Sequence, residues 1–262
     1  MTGRAEAAAV FGTLLPLLRD AEVSVAPPAL SASAARERLG RGRHLLDGLD
    51  LGVDAAAAHE LLVHLARVLE STAASAAARR LRGALERAEP HAADLLPHAA
   101  AGEREAVAAL ARDRGLEPDL LWTLAQAALR PALRACCDAL MPLVEDAPWE
   151  RDSCLLCAAP ATLGELRADG GRVLRCCRCG AAWRVRRLLC PACGNEDHAT
   201  LRTLYEAGRH ATRRVEACDR CRRYFKLIAA AVPTPADALV LEDLATLPLD
   251  LAARLCTRAA AR

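Results

Sequence analysis

Residues 154–193 of this 262-residue chain read CLLCAAPATLGELRADGGRVLRCCRCGAAWRVRRLLCPAC, and residues 218–221 read CDRC. These stretches contain four cysteine pairs with the spacing C-x-x-C. Two intervening residues allow one tight turn to direct both sulfurs toward a single point, so one pair supplies half of a tetrahedral thiolate site. The spacing predicts two bound metal ions, and the predicted ligands are Cys154, Cys157, Cys176, Cys179, Cys190, Cys193, Cys218 and Cys221.

Two other uses of paired cysteines fit the chain less well. A disulfide framework usually belongs to a small secreted domain, whereas this chain is long and 53% hydrophobic, which suffices for a core. A thioredoxin-like redox pair stands beside a βαβ pattern, and here four pairs follow one another without that pattern. Metal binding is therefore the favoured interpretation.

The order of the segments favours a sequential grouping of the pairs. Each half of the region runs from one pair through a hairpin to a second pair and a strand, and the halves start 36 residues apart (190 minus 154). This repeat indicates a duplicated small module. Each hairpin would bring its two pairs together, so residues 154–179 are predicted to hold one ion and residues 190–221 the other. An interleaved grouping of RING type is the alternative.

A site closed by four thiolates has no open coordination position. It cannot activate water or bind a substrate as a three-ligand catalytic zinc does, but it suits structural zinc or redox-active iron. No nucleophile-elbow, phosphate-loop, dinucleotide or zinc-protease motif is present, and the seven histidines form no cluster with metal spacing. We therefore predict no catalytic residues and a protein that is not an enzyme.

The remaining cysteines have simpler interpretations. Cys177 could replace a neighbour as a ligand, but the two-residue spacing favours the pair formed by Cys176 and Cys179. Cys136 and Cys137 fall in a helical segment, and Cys256 falls in a second one near the end of the chain. We expect these three to be small core residues.

Helical periodicity extends over residues 31–146. Asp54 is placed to cap a helix with leucines at three- and four-residue steps, and Pro118 to open another. Glycines and prolines divide this region into five to seven predicted helices. After Pro235 a helical pattern returns from Leu239 to Leu255, and this tail is expected to pack on the rest.

Short β-type segments separate the cysteine pairs. The predicted strands are Val173–Arg175, Trp183–Leu189, Leu201–Tyr205, Thr212–Val215 and Tyr224–Ile228. The fold class is thus α+β, in which an N-terminal α-helical domain precedes two tandem metal modules and a C-terminal helical tail. The predicted boundaries are 1–148 for the helical domain, 149–188 and 189–230 for the modules, and 231–262 for the tail. Each module is too small for a core of its own, so metal binding would supply much of its stability.

The N-terminal residues bear only a faint similarity to a signal peptide. Glu6 interrupts the approach to the apolar run, Pro16 breaks the run, and Arg19 follows where a neutral cleavage region would stand. No run of 18 apolar residues occurs elsewhere. We predict a cytoplasmic protein without membrane insertion.

The metal-binding region is basic. Residues 151–228 carry 16 Arg and Lys against 8 Asp and Glu, a formal charge of +8, whereas the whole chain carries +2. Two divalent ions in eight thiolates add −4, because eight negative sulfurs meet four positive charges. With few aromatic residues to stack on bases, nucleic acid is disfavoured as a partner, and an acidic protein partner or a solvated face is favoured.

Further residues around the pairs form a characteristic pattern. The strings are LRCCRC at 174–179, CPAC at 190–193, EACDRCRRYFK at 216–226 and EDLATLPLD at 242–250. With these, the chain from Cys154 onward resembles the FdhE family of formate dehydrogenase accessory proteins.

This resemblance implies more than the spacing does. It implies that the two modules are rubredoxin-like or zinc-ribbon-like, and that iron, with zinc as the alternative, is the metal in the two tetrahedral four-cysteine sites. It also implies a cytoplasmic maturation factor that binds the catalytic subunit of a molybdenum- or tungsten-dependent formate dehydrogenase. A homodimer is compatible with it. The alternative functions are a rubredoxin-like electron carrier and a zinc-ribbon protein that binds nucleic acid.

Overall fold

The computed structural model of the protein describes residues 2–21, 25–205 and 212–259. By packing, the chain divides into two compact units. The helical unit comprises Met1–Ala29 and Gly48–Asp138, and the sheet unit comprises Leu30–Asp47 and Ala139–Arg262. The predicted α+β fold class is confirmed, whereas the predicted domain boundaries stay predictions.

Ten α-helices and six β-strands lie in the described part of the chain. The helices are α1 Thr2–Asp20, α2 Ala32–Gly40, α3 Ala55–Ala73, α4 Ala76–Glu86, α5 Ala92–Ala101, α6 Arg104–Arg112, α7 Pro118–Ala128, α8 Arg130–Leu140, α9 Ala238–Ala245 and α10 Leu247–Ala259. The strands are β1 Leu163–Leu166, β2 Arg172–Arg175, β3 Ala182–Val185, β4 Leu201–Tyr205, β5 Arg213–Cys218 and β6 Tyr224–Ala229. Among these helices, none is both long enough and apolar enough to cross a membrane.

The helical unit is built from amphipathic helices with local start signals. The Asp54 carboxylate accepts the backbone N–H groups of Ala56 and Ala57 and so caps α3, as predicted. Leu62 and Leu65 lie on the inner face of α3 and are fully buried. Burial of each such leucine stabilises the fold by about 1.5–3 kcal/mol. The seven helices α2–α8 described between residues 31 and 146 agree with the predicted five to seven.

The sheet unit contains one six-stranded sheet in the order β3-β2-β1-β6-β5-β4. Its two halves, β1–β3 and β4–β6, are each antiparallel, which matches the predicted duplication. The halves join where β1 pairs in parallel with β6, with Leu163 opposite Lys226. The two repeats therefore share a continuous backbone hydrogen-bond network.

The sequence pattern missed strand β1, which reads Leu-Gly-Glu-Leu. Glycine and a charged residue at its centre lower the β propensity of this segment. The structure explains why glycine and glutamate occupy these two positions. A Cβ at Gly164 would lie 2.6 Å from Leu227 and 3.2 Å from Leu174, so only glycine lets these leucines close over the strand. Glu165 is fully buried and accepts hydrogen bonds from Arg175 and from the backbone N–H of Thr234.

The tail forms two helices rather than one and packs on the sheet as expected. Leu249 and Ala253 of α10 form an apolar cluster with Val215 and Ala217 of β5. Helix α9 ends before Thr246, whose hydroxyl bonds to the carbonyl oxygens of the preceding turn.

Lys226, the single lysine of the sequence, holds the tail to strand β6. It is 1% exposed, and its ammonium lies 2.6 Å from an Asp243 carboxylate oxygen and 2.7 Å from one of Asp250. Tyr224 donates a further hydrogen bond to Asp250. Because removal of one partner leaves buried charge without compensation, this group is sensitive to substitution.

Replacement of Lys226 by methionine, which nearly keeps the length of the side chain, is expected to destabilise the sheet unit by about 3 kcal/mol. Urea unfolding of metal-loaded protein, followed by circular dichroism, measures this loss. Arg41→Met is the control, because Arg41 and Glu37 form an exposed ion pair worth less than about 1 kcal/mol. Equal stability of the two variants would contradict the structural role of Lys226.

Candidate metal centres

All four C-x-x-C segments fold into the same turn. In each, the backbone N–H four residues after the first cysteine donates to the carbonyl of that cysteine, at 2.8–3.0 Å. The N–H of the first cysteine in turn donates to the carbonyl five residues later, at 2.8–3.0 Å. These two bonds close a tight turn, here called a knuckle, that directs both thiols to one side. The knuckles start at Cys154, Cys176, Cys190 and Cys218.

The fifth residue of each knuckle has a left-handed backbone conformation. Gly180 and Gly194 take this position in the second and third knuckles, with φ of 86° and 69°. Ala158 and Arg222 take it in the first and fourth, both with φ of 61°. For a residue with a Cβ, that conformation costs about 1–2 kcal/mol. The turn is therefore the same whether this position is glycine or a residue with a Cβ.

The first cluster brings together the sulfurs of Cys154, Cys157, Cys176 and Cys179. All four Sγ atoms lie within 4.8 Å of one another. The Sγ atoms of Cys154 and Cys179 are 3.6 Å apart, as are those of Cys157 and Cys176. Strands β1 and β2 form the hairpin between the two knuckles, so this cluster sits at one end of the first half of the sheet.

The second cluster has the same arrangement around the sulfurs of Cys190, Cys193, Cys218 and Cys221. These Sγ atoms also lie within 4.8 Å of one another. The distance from Cys190 to Cys221 is 3.6 Å and that from Cys193 to Cys218 is 3.8 Å. The sulfurs are thus grouped sequentially along the chain, not interleaved.

The sulfur spacing fits a metal ion in each cluster. A metal–sulfur bond of about 2.3 Å in a tetrahedron gives a sulfur–sulfur distance of about 3.8 Å, close to the distances observed. A disulfide would need about 2.05 Å. One metal ion therefore fits each cluster. Four thiolates suit zinc and iron equally well.

The residues predicted not to be ligands lie away from the clusters. Cys177 packs with Leu163, Ile228 and Leu239. Cys136 and Cys137 are buried in the helical unit, and burial raises the pKa of the Cys136 thiol to about 11. The predictions for the Cys256 side chain and for His210 concern parts of the chain outside those described.

The two clusters differ in their access to water. Three cysteines of the first cluster are at most 2% exposed, and Cys157 is 9% exposed. In the second, Cys190 and Cys218 are buried, but Cys221 is partly exposed and Cys193 is exposed. Solvent therefore reaches the second cluster through the tips of the third and fourth knuckles.

Residues 44–46 enclose the first cluster from outside the cysteine region. The N–H groups of Leu45 and Leu46 donate to the carbonyls of Leu155 and Leu156 at 2.8 and 3.0 Å. The ring Nδ1 of His44 lies 2.8 Å from the carbonyl oxygen of Cys154. Nothing in the sequence pattern indicates this contact, because its partners are about a hundred residues apart.

Donor groups surround the sulfur of Cys218. Burial raises the pKa of this thiol, but the N–H groups of Cys221 and Arg220 and the Asn195 amide outweigh it and bring the pKa to about 7. The Asn195 Nδ2 atom lies 3.4 Å from the sulfur and 2.8 Å from the hydroxyl of Thr200. Asn195 thus supports a ligand, a role that sequence spacing could not reveal.

Many arginines of the basic region are paired with carboxylates. Arg175 pairs with the buried Glu165, and Arg172 pairs with Glu216. Further pairs join Arg184 to Asp169, Arg186 to Glu150 and Glu196, Arg202 to Asp219, Arg213 to Glu242, and Arg223 to Asp152. Carboxylates therefore neutralise many of these arginines locally, and two of the carboxylates, Glu150 and Glu242, come from outside residues 151–228.

Comparison with known proteins matches the second half of the sheet and the tail. Residues 188–259 match the family model described as FdhE, C-terminal domain. A protein FdhE homolog of Shewanella baltica (strain OS223) is 37% identical over 81 residues, which are 31% of this chain and 26% of the relative. One from Aquifex aeolicus (strain VF5) is 26% identical over 148 residues, which are 53% of this chain and 49% of the relative.

The fold comparison extends over more of the chain. The crystal structure of the FdhE protein from Pseudomonas aeruginosa matches with a TM-score of 0.60 and 25% sequence identity. The match covers 94% of this chain and 82% of that chain. The sequence matches, by contrast, span about a quarter of the Shewanella relative and about half of the Aquifex one.

Zinc-loaded protein is expected to release its metal in two phases of equal amplitude when a chromogenic chelator is added. The exposed second cluster should empty first, because the chelator reaches Cys193 without unfolding of the chain. Cys193→Ser should abolish the fast phase and keep the slow one, whereas Cys157→Ser should do the reverse. Release in a single phase would contradict the assigned difference between the clusters.

Asn195→Leu is expected to weaken metal binding at the second cluster about tenfold or more, because ligand-orienting hydrogen bonds have effects of this size. Competition with a chelator of known zinc affinity measures the change. Thr203→Val, on the exposed strand β4, is the control and should bind zinc as the unmodified protein does. Unchanged affinity in Asn195→Leu would refute the supporting role of Asn195.

Proposed function

We propose that this chain, which is similar to the FdhE proteins, is a formate dehydrogenase accessory protein. In this proposal it binds the catalytic subunit of a molybdenum- or tungsten-dependent formate dehydrogenase in the cytoplasm and assists its assembly into active enzyme. The observation that carries the proposal is the match of residues 188–259 to the FdhE C-terminal domain. The match in fold to an FdhE crystal structure supports it over most of the chain.

The geometry of the clusters agrees with a binding role. When all four positions of an ion are filled by cysteine sulfur, none is left for a substrate or a water molecule. Metal bound in such a site contributes free energy of folding. We propose that the eight cysteines hold two ions, iron in first place and zinc in second. The ions would then fix the shape of a surface that the partner recognises.

The exposure of the second cluster supports one further candidate, an electron carrier of rubredoxin type. Iron in a solvent-accessible four-thiolate site can exchange electrons with a partner at short distance. Protein purified without oxygen and then oxidised should show ferric–thiolate absorbance if this candidate holds. Its absence from protein that contains two metal ions per chain would eliminate the candidate and leave the binding role intact.

The accessory role predicts a specific loss in the native host. Deletion of the gene should abolish formate-dependent dye reduction in cell extracts, and the wild-type gene supplied in trans should restore it. A gene with Cys154→Ser and Cys190→Ser, which breaks both clusters, should fail to restore it because the sheet unit loses its metal. Normal formate-dependent dye reduction in the deletion strain would contradict the proposal.

A further inference from the structure

A cavity of about 110 Å³ opens beside the second cluster, within the sheet unit. Cys190 and Cys218 of that cluster form part of its wall. The cavity therefore reaches the two buried ligands of the cluster. Neither the cysteine spacing nor the accessory role assigns it a ligand.

Arg172 builds one wall of this cavity. The side chain is 3% exposed and donates to the carbonyl oxygens of Arg186 and Leu189 and to the carboxylate of Glu216. It thereby fixes the linker between the two halves of the sheet. Glu216 also accepts from Arg214. The one carboxylate in the wall is thus neutralised, and the wall is held in place before any ligand binds.

The floor of the cavity is apolar and its rim is exposed. Leu189 and Phe225 are 4% and 3% exposed and contribute the floor. Leu188 stands at the rim and is 61% exposed. A large exposed aliphatic side chain beside an open apolar cavity is typical of an interaction site.

The surroundings of the rim are cationic. Arg187 lines the cavity, is exposed, and makes no ion pair within the described residues. Arg220 and Arg222 lie on the knuckle that starts at Cys218. Both are exposed, and neither forms an ion pair in the part of the chain that is described. Arg202 and Arg223 also line the cavity, although each is paired with an aspartate. One unpaired guanidinium in the cavity lining, with two more on the knuckle that carries Cys218, favours a ligand that combines carboxylates with an apolar group.

We propose that this face binds an acidic segment of the partner protein. One apolar side chain of the segment enters the cavity, and carboxylates on either side of it meet Arg187, Arg220 and Arg222. The inference rests on the proposed function and deepens it, since it locates the surface of this chain that meets the catalytic subunit. The second cluster then has a direct role in docking, because its metal holds the turns that carry Cys190 and Cys218.

A peptide fits these observations better than a nucleic acid does. Binding of single strands relies on exposed aromatic rings, and Phe225 in the cavity floor is 3% exposed. An acidic segment can place its apolar residue at the cluster and its carboxylates at the arginines.

The test uses the full-length, metal-loaded protein and two surface substitutions. Leu188→Asp adds a carboxylate at the rim of the cavity, and Arg187→Glu reverses a free charge. The controls are Leu251→Asp, at a 65% exposed leucine on helix α10, and Arg41→Glu, at an exposed ion pair of the sheet unit. Metal content and circular dichroism confirm that all four variants are folded.

Two probes are needed. The first is the catalytic subunit of the host's formate dehydrogenase, captured from extract by the tagged protein. The second is a fluorescein-labelled peptide, Glu-Asp-Glu-Leu-Asp-Glu-Glu, with a matched peptide in which serine replaces leucine and a mixed-sequence single-stranded DNA. Fluorescence polarisation gives the affinities. We expect Leu188→Asp and Arg187→Glu to weaken capture and peptide binding about tenfold each, with the controls within about twofold, and the serine peptide to bind more weakly.

The outcomes separate the two proposals. Capture of the subunit that is equal in all variants would overturn the docking site and leave the accessory function standing. Failure of the unmodified protein to capture the subunit would count against the function, and the peptide would still test the site. Absence of peptide binding, or equal binding of the serine peptide, would overturn the inference. DNA binding that Arg187→Glu abolishes would overturn it in favour of a nucleic-acid site.

Discussion

The close approach of four cysteine sulfurs in each cluster is the constraint on which the sheet unit depends. Four negative sulfurs held 3.6–3.8 Å apart repel one another unless a cation lies between them. An ion bound in each cluster would remove that repulsion and add free energy of folding, while the sheet holds the cysteines in position.

The parallel pairing of β1 with β6 joins the two halves of the sheet. Each half of the sheet carries one cluster, and the junction is reinforced by buried charges. Glu165 lies at the junction with Arg175, and Arg172 of the first half pairs with Glu216 of the second. These pairs hold the two halves of the sheet in register, because removal of one partner would leave a buried charge without compensation.

The sequence predicted those features that arise from local spacing. The C-x-x-C turns, the sequential grouping and the helix starts at Asp54 and Pro118 each depend on a few neighbouring residues. The features that the sequence did not predict depend on contacts with residues far along the chain. Strand β1 has poor intrinsic propensity and is stabilised by Arg175 and by the leucines over Gly164. The cap formed by residues 44–46 on the first knuckle likewise has no local signature.

The metal turn itself shows why glycine alone is a weak guide to this fold. Two of the four knuckles place Ala158 and Arg222 in the left-handed conformation at a cost of about 1–2 kcal/mol each. The paired backbone hydrogen bonds of each knuckle offset that cost, so the position accepts residues other than glycine. At the fourth knuckle the residue used is an arginine, exposed beside the cluster that water reaches. The first cluster, enclosed by residues 44–46, is closed to such contacts. The same turn thus forms a buried cluster and a solvent-accessible cluster, and the accessible one carries an exposed arginine at its edge.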